Sequence, residues 1–515
     1  MHYDAGNYRG ESRFVSNTVA LVLQTVVATL LTLVQIKLLA NYLSKDDFGL
    51  FASLRGLSLL LATLAANGLP QLLIRFIPVY ETRKDRRQAV RLGVSCVAGS
   101  TLLLAAVVVI VQLLKVRTFA FVPPETLSPG FYLWFYATTL GVMLKLILYG
   151  GLNGLRRLAT QVAIETLSLA GILAWIVFAR ESLTIPGLFR ILGVVNLAAS
   201  AAALPLFFGG LVQSTSGDAP AGREPAKGYL GYLWWAAGLS LVALAFSDVD
   251  RYLLAQVISL EMLALFHIGA RIARLANRVL GVANLAFQPE VTRLDTEGRE
   301  DRVVQSTMIF LKFNTTIAFL MAAVIVVFAR GIIVIVASRD YLGAELLLIV
   351  LAASLPLSTM TAPITSVMKA IDQVREALLC DLAWAAAYIV LMFTLAPVVG
   401  IVGVGLAQLF ACLAQLLLAI SVSSLPIDKR QLLKFSFKIV TLSAVSFAPA
   451  WLAGRTFGLP IWATVLVFLF GVLVFRWGFG RTGVYARRER EALVALLDDR
   501  RLGIVGKLIG VGTSR

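Results

Sequence analysis

Uninterrupted apolar runs recur from one end of this chain to the other, and about 20 such residues is what a helix needs to cross a bilayer. They lie near residues 15–43, 48–74, 92–114, 131–152, 159–179, 188–208, 230–258, 262–288, 307–328, 345–368, 378–396, 401–424, 437–453 and 460–478. None alternates with the period of two that a barrel strand requires, so helix is the element expected throughout. The spacing predicts an all-α polytopic membrane protein with about 14 transmembrane helices. With 59% hydrophobic and 15% charged residues among 515, little chain remains for a soluble domain.

The charged residues orient the spans. Lys and Arg number 46 against 29 Asp and Glu, a net charge of +17. In a soluble chain that excess would point to nucleic acid; in a polytopic one it belongs in cytoplasmic loops beside anionic lipid. With the N-terminus inside, the inner segments hold 30 Lys and Arg and the outer loops 7. Both termini are therefore expected in the cytoplasm, and nucleic acid is not an expected partner. All eight Trp fall near proposed span ends, as interfacial belts require. The first run follows a polar stretch ending at Arg13 and has no small-residue cleavage site, so it is read as a retained span.

A stretch rich in Gly, Ser and Pro at 209–228 interrupts the pattern after six spans. It divides an N-terminal six-helix bundle, 1–208, from a second at 229–424, followed by two extra spans at 425–479 and a cytoplasmic tail at 480–515. Sliding the chain along itself until Leu38 meets Leu253 lays LLANYLSKDDFGLF, Leu38 to Phe51, on LLAQVISLEMLALF, Leu253 to Phe266, with six of 14 positions identical. An even span count gives both copies one orientation, so the halves are expected to be parallel repeats with a substrate path between them.

Nine basic residues fall within or at the edges of spans. Span 8 holds His267, Arg271, Arg274 and Arg278 at spacings of 4, 3 and 4, one face of a helix. At about 1.5 Å per residue the stripe covers roughly 16 Å, much of the hydrocarbon thickness. Each Arg near mid-bilayer costs about 2.5 to 3.5 kcal/mol even on the lenient insertion scale, so the face must meet water, acidic partners or an anionic ligand. A buried ion-pair network, with Arg278 snorkelling to the edge, is the competing reading. A voltage sensor would repeat Arg every third residue for longer. Lys37, Arg55, Lys145 and Arg251 add cations from both halves, whereas Lys312, near a span end, is expected to snorkel. Among the acids, Glu165, Asp248 and Asp250 are candidates for proton or Na+ coupling, and counter-ion duty to Arg251 explains the two Asp equally well.

Enzyme signatures are absent. No phosphate loop of the GxxxxGK[ST] type, HExxH, GxSxG or Cys/His cluster occurs; Cys96, Cys380 and Cys412 are far apart within apolar runs. The chain is not expected to be an enzyme or to carry a cofactor or metal. Residues 485–497, with Arg487, Arg488 and Arg490 before Leu493, Leu496 and Leu497, suit an interfacial amphipathic helix.

Several segments carry a resemblance: NTVALVLQ at Asn17 to Gln24, the Leu38 to Phe51 segment, NGLPQLLIRFIP at Asn67 to Pro78, DRYLLA at Asp250 to Ala255 and FQPEV at Phe287 to Val291. Together they resemble polysaccharide repeat-unit flippases of the MATE-like multidrug/oligosaccharidyl-lipid/polysaccharide exporter superfamily. The resemblance implies two six-helix bundles around a V-shaped cavity, two extra C-terminal helices, and alternating access. The implied substrate is an oligosaccharide on undecaprenyl pyrophosphate, supplied by glycosyltransferases and consumed by a polysaccharide polymerase, with membrane lipid around the protein. Candidate head-group ligands are Arg271, Arg274, Arg251, Arg55, Lys37 and Lys145, because guanidinium forks and ammonium charges match phosphate oxygens. A lipid II flippase shares the pyrophosphate and stays open as an alternative, as does a drug or cation antiporter, for which an acid-rich cavity would be expected.

Overall fold

The computed structural model describes residues 27–114, 118–155, 157–180, 183–214, 232–234, 236–238, 240, 249–296, 298–371, 373–425, 428–458, 460–481 and 483. Among them the regular structure is helical, with no strand. The first half holds α1 (Val27–Tyr42), α2 (Lys45–Ala66), α3 (Leu69–Arg83), α4 (Arg86–Leu113), α5 (Pro129–Gly154), α6 (Leu158–Phe178) and α7 (Ile185–Ser214). The second holds α8 (Val249–Leu254), α9 (Leu260–Thr296), α10 (Glu300–Val336), α11 (Glu345–Ala370), α12 (Val374–Val399) and α13 (Ile401–Val422). Two further helices follow, α14 (Lys429–Arg455) and α15 (Ile461–Arg481). Eleven described helical segments are long and apolar enough to cross a membrane. The runs expected at 15–43 and 230–258 lie partly outside the described residues, and the charges of α9 keep it out of that number. Most of the proposed linker at 209–228, the tail segment 485–497 and Asp248 also lie outside them, whereas α7 continues through Ser214.

The repeat that lays Leu38 on Leu253 is the repeat of the fold. Helices α2, α4, α5, α6 and α7 begin at Lys45, Arg86, Pro129, Leu158 and Ile185, and α9, α10, α11, α12 and α13 begin at Leu260, Glu300, Glu345, Val374 and Ile401. Each offset between partners lies within one position of the offset of the sequence repeat. Even the short 3-10 turn before α5, Pro124–Thr126, has its counterpart before α11, Arg339–Ala344.

One expected span divides. The run 48–74 breaks at Asn67 and Gly68, whose φ values of 33° and 79° are left-handed, so α2 stops there and α3 restarts with Pro70 in its first turn. A side chain on Gly68 would strike the backbone at Ala236 and Ala237, 2.7 and 2.6 Å from its Cβ. Glycine is required there on both counts.

The chain forms two compact units, Met1–His267 with Val336–Ser338, and Ile268–Ile335 with Arg339–Arg515. In the first, α5 is central, lying alongside α7, α3 and α2. Ser58 of α2 bonds Thr139 of α5 (3.0 Å), while Pro70 of α3 abuts Gly150, so α5 spans both sides of the α2–α3 break. Leu73, Ile77, Ile147, Leu152 and Phe207 fill the core between these helices. Ser200 of α7 donates to the Gly141 carbonyl of α5 at 3.0 Å, the type of polar bond that joins helices where lipid offers no hydrophobic drive. At the start of α2, Gly49 lies so close to the Leu260 carbonyl that a Cβ would overlap it, and the neighbouring Lys45 pairs with Glu261 at 2.7 Å.

In the second unit α11 lies beside α13 and α12 beside α13. The last two helices share its core: Leu432, Phe435 and Ile439 of α14 and Phe475 and Phe479 of α15 cluster with Leu311, Met360, Ile364 and Leu416. Glu345 at the start of α11 accepts from Arg330 at 2.8 Å and faces Arg455 of α14 at 3.8 Å. At 37 residues α9 is about 55 Å long and exceeds the hydrocarbon core, whereas α10 is kinked at Phe328, where φ is −104° and ψ 17°. Phe287 stacks on Phe310 at 4.1 Å, and Val291, Leu294 and Val303 cluster with Val367, holding the overhanging ends together.

Candidate functional site

Each candidate cation takes its depth from its helix. Arg271 is buried, Arg274 half-buried and Arg278 exposed, so the stripe on α9 runs from interior to periphery over two turns. His267, one turn earlier, is buried with its ring edge-on to Phe48 at 5.1 Å. Asn277, near the stripe, accepts a hydrogen bond from Ser358 of α11 at 3.0 Å, which fixes the turn of α9 carrying Arg274. On α8, Asp250 and Arg251 are both buried, Arg251 fully, and α8 packs on α2. Arg55, midway along α2, is half-buried, and Lys37 on α1 is exposed.

Lys312 departs from expectation. Instead of snorkelling it is 1% exposed within α10, where Asn314, Thr315 and Thr316 are buried with it. A run of polar side chains makes this part of α10 an interior surface, so the ammonium stays inside with them.

Lys145 and Glu165 come together. The ammonium of Lys145 on α5 lies 2.6 Å from Glu165 of α6, donates to Asn196 of α7 at 3.2 Å and sits 5.6 Å from the centre of the Tyr149 ring. The Tyr149 hydroxyl donates to the same carboxylate at 3.2 Å. Lysine 13% and glutamate 34% exposed make a pair open on its carboxylate side.

A second such group involves residues that sequence reasoning left out of the candidate site. Lys369, one residue past the apolar run 345–368, is in the last turn of α11 and donates to Asp381 of α12 at 3.2 Å. Gln415 of α13, itself buried, donates to the other Asp381 oxygen at 3.0 Å. The signal was present: Asp381 stands as far along the chain from Glu165 as the start of α12 at Val374 stands from the start of α6 at Leu158.

The three cysteines are buried and unbridged, and among the described residues no cluster of His, Cys, Asp and Glu suits a metal ion. Within each unit the arrangement offers cations on long helices, some buried among polar groups and two restrained by carboxylates, a chemistry suited to anions.

Solved structures share this fold. The lipid II flippase MurJ in an inward closed conformation superposes with a TM-score of 0.68 at 15% identity, covering 91% of this chain and 99% of that one. An inward-facing multidrug resistance MATE family transporter of the MOP superfamily gives 0.58 at 13% identity, over 79% and 96%. A point mutant of the Vibrio cholerae MATE transporter VcmN gives 0.54 at 17% identity, over 79% and 97%. At these identities the likeness is one of fold. No curated protein matches the chain. A family model described as polysaccharide biosynthesis protein matches residues 14–295, more than half of the sequence, and this multi-pass membrane protein belongs to that family.

Proposed function

We propose that the protein is a flippase that carries undecaprenyl-pyrophosphate-linked oligosaccharide repeat units from the cytoplasmic to the outer leaflet of the cell inner membrane, by alternating access, for O-antigen, capsule or exopolysaccharide synthesis. The observation that carries this reading is the α9 stripe, with Arg271 buried and Arg274 half-buried in a protein of a polysaccharide biosynthesis family. A pyrophosphate bearing about two to three negative charges does not cross hydrocarbon unaided, and arginine forks replace the water it leaves. Arg271, Arg274, Arg251 and Arg55, with Lys37 and Lys145, hold the head group while the prenyl tail stays in lipid. Asp248 and Asp250 are proposed to couple the cycle to H+ or Na+; Glu165, the third candidate, is already engaged by Lys145. Glycosyltransferases supply the substrate and a polymerase consumes it.

The test is the double variant R271Q/R274Q in a strain that depends on this gene for its surface polymer. Export falls to background while the protein stays in the membrane at its normal level; full export by that variant overturns the assignment. The second reading, lipid II translocation, is favoured by the extent of the MurJ likeness, which reaches 91% of the chain where the MATE likenesses reach 79%. Rescue of a strain lacking its lipid II flippase, without rescue of polymer export, would establish it. A cation antiporter fits less well, because cations outnumber carboxylates among the candidates.

A further inference from the structure

We propose that Glu165 and Asp381 are placeholder anions, one in each repeat, that hold Lys145 and Lys369 until a phosphate of the substrate displaces them. Lys369 thereby becomes a second ligand-binding lysine, in a site of α11, α12 and α13 that corresponds helix for helix to α5, α6 and α7. The inference rests on the flippase reading and names two groups of the binding chemistry within it.

Three observations support it. The carboxylates share one register of the repeat, at equal distances from the starts of α6 and α12. Each is met by a lysine of the preceding helix, and an amide of the following helix joins the group, Asn196 on the lysine in one repeat and Gln415 on the carboxylate in the other. The lysines differ in register, Lys145 aligning with Thr361 and Lys369 with Asn153, so the shared feature is the pairing and not a copied stretch of sequence.

The third observation is what remains when a pair opens. Without its lysine, Glu165 keeps the Tyr149 hydroxyl and Asp381 keeps the Gln415 amide. Lys145, without its carboxylate, keeps the Asn196 oxygen and the face of the Tyr149 ring. An ion pair serving only as a strut needs no such reserve. Lys369, 34% exposed, is open to an incoming anion directly, whereas Lys145, 13% exposed, is reached only once Glu165, 34% exposed, swings aside. The placeholder solves a problem of the empty carrier: a bare ammonium at membrane depth is costly, and a resident carboxylate neutralises it until a phosphate with more charge and more acceptor oxygens takes its place.

The experiment titrates farnesyl diphosphate into the full-length protein in nanodiscs. If the carboxylates compete with ligand, E165Q and D381N each tighten binding by about fivefold or more, and K145Q and K369Q weaken it by a similar factor. The neutral pairs K145Q/E165Q and K369Q/D381N bind as weakly as the lysine variants alone, and they stand in for the acid variants should those fail to fold. Unchanged or weaker binding by folded E165Q and D381N, or unchanged binding by the neutral pairs, overturns the proposal and makes the pairs struts, while wild-type binding and polymer export leave the flippase reading standing. Wild-type protein that binds no diphosphate overturns both.

Discussion

Helices α5 and α11 hold the same place in the two repeats and are 26 residues long each, yet only α5 packs through glycines. Along α5, glycines bring neighbours to the backbone. A Cβ on Gly141 would lie 2.7 Å from Asn196, one on Gly150 2.8 Å from Pro70 Cα, and one on Gly154 2.8 Å from the Leu73 carbonyl; on Gly151 it would overlap the Phe207 ring. With Pro129 laid on Glu345, the aligned positions of α11 are Leu357, Ser366, Val367 and Ala370. That helix has no glycine, carries Pro356 and Pro363, and turns the hydroxyls of Ser354, Thr359, Thr361 and Thr365 onto its own carbonyls, as Thr138 and Thr139 do in α5. Inside a bilayer both are solutions to one constraint. Helices gain little from hiding apolar surface from lipid, so they approach closely through small residues, settle their polar groups within themselves, or do both.

Exchanging the aligned residues is the severest way to break this comparison. Gly150→Ser and Gly151→Val place in α5 what α11 carries, and both meet atoms with little room to yield: the backbone of Pro70 in α3 for the first, a fully buried ring for the second. Overpacking of this kind costs about 1 to 3 kcal/mol at a yielding site and more where backbone must shift. The double variant is expected to lose folded protein altogether, read as loss of the monodisperse peak in detergent. A double variant with wild-type unfolding temperature would show that the α5 interfaces are not close-packed.

The reverse change is milder. Val367 is fully buried against Val291, Leu294 and Val303, so Val367→Ala removes methyl groups without a clash. The cavity costs about 1 to 3 kcal/mol, and a lowered unfolding temperature with polymer export retained is the expected result. An effect as large as that of the glycine exchange would mean that α11 packs as tightly as α5.

Much of this architecture was legible in the sequence because it depends on local pattern. Run lengths gave the helices, and the match of Leu38 to Phe51 with Leu253 to Phe266 gave the repeat that the helix starts reproduce. Spacing alone placed Arg271, Arg274 and Arg278 on one face. What escaped depended on neighbours at the same depth. The break at Asn67 and Gly68 follows from two left-handed residues in a stretch whose hydropathy is uniform, and only the Asn-Gly pair followed by Pro70 hints at it. Lys312 was expected at the surface because it lies near a span end, yet α10 begins at Glu300, well before it, and buries it on the segment ahead of the Phe328 kink. Lys369 fell outside the candidates because the apolar run ends before it, while the helix continues to Ala370 and brings it to Asp381.

The smallest expected effect sharpens the comparison from a third place, the start of α2, where glycine packing and an ion pair lie side by side. Gly49 touches the Leu260 carbonyl through backbone alone, and four residues earlier Lys45 bonds Glu261 at 2.7 Å with the two side chains 34% and 54% exposed. If close backbone approach holds these helix ends together, the ion pair adds little, since exposed pairs contribute about 0 to 1 kcal/mol after screening and side-chain ordering. Lys45→Ala should therefore lower the unfolding temperature by no more than a degree or two at low salt and not measurably at high salt, where charges on the surface are screened within about 3 Å at 1 M. Gly49→Ala, one methyl against a carbonyl, should cost far more and show no salt dependence. A Lys45→Ala loss that equals the Gly49→Ala loss would assign the junction to charge, and would make it an exception to the glycine packing that α5 uses along its length.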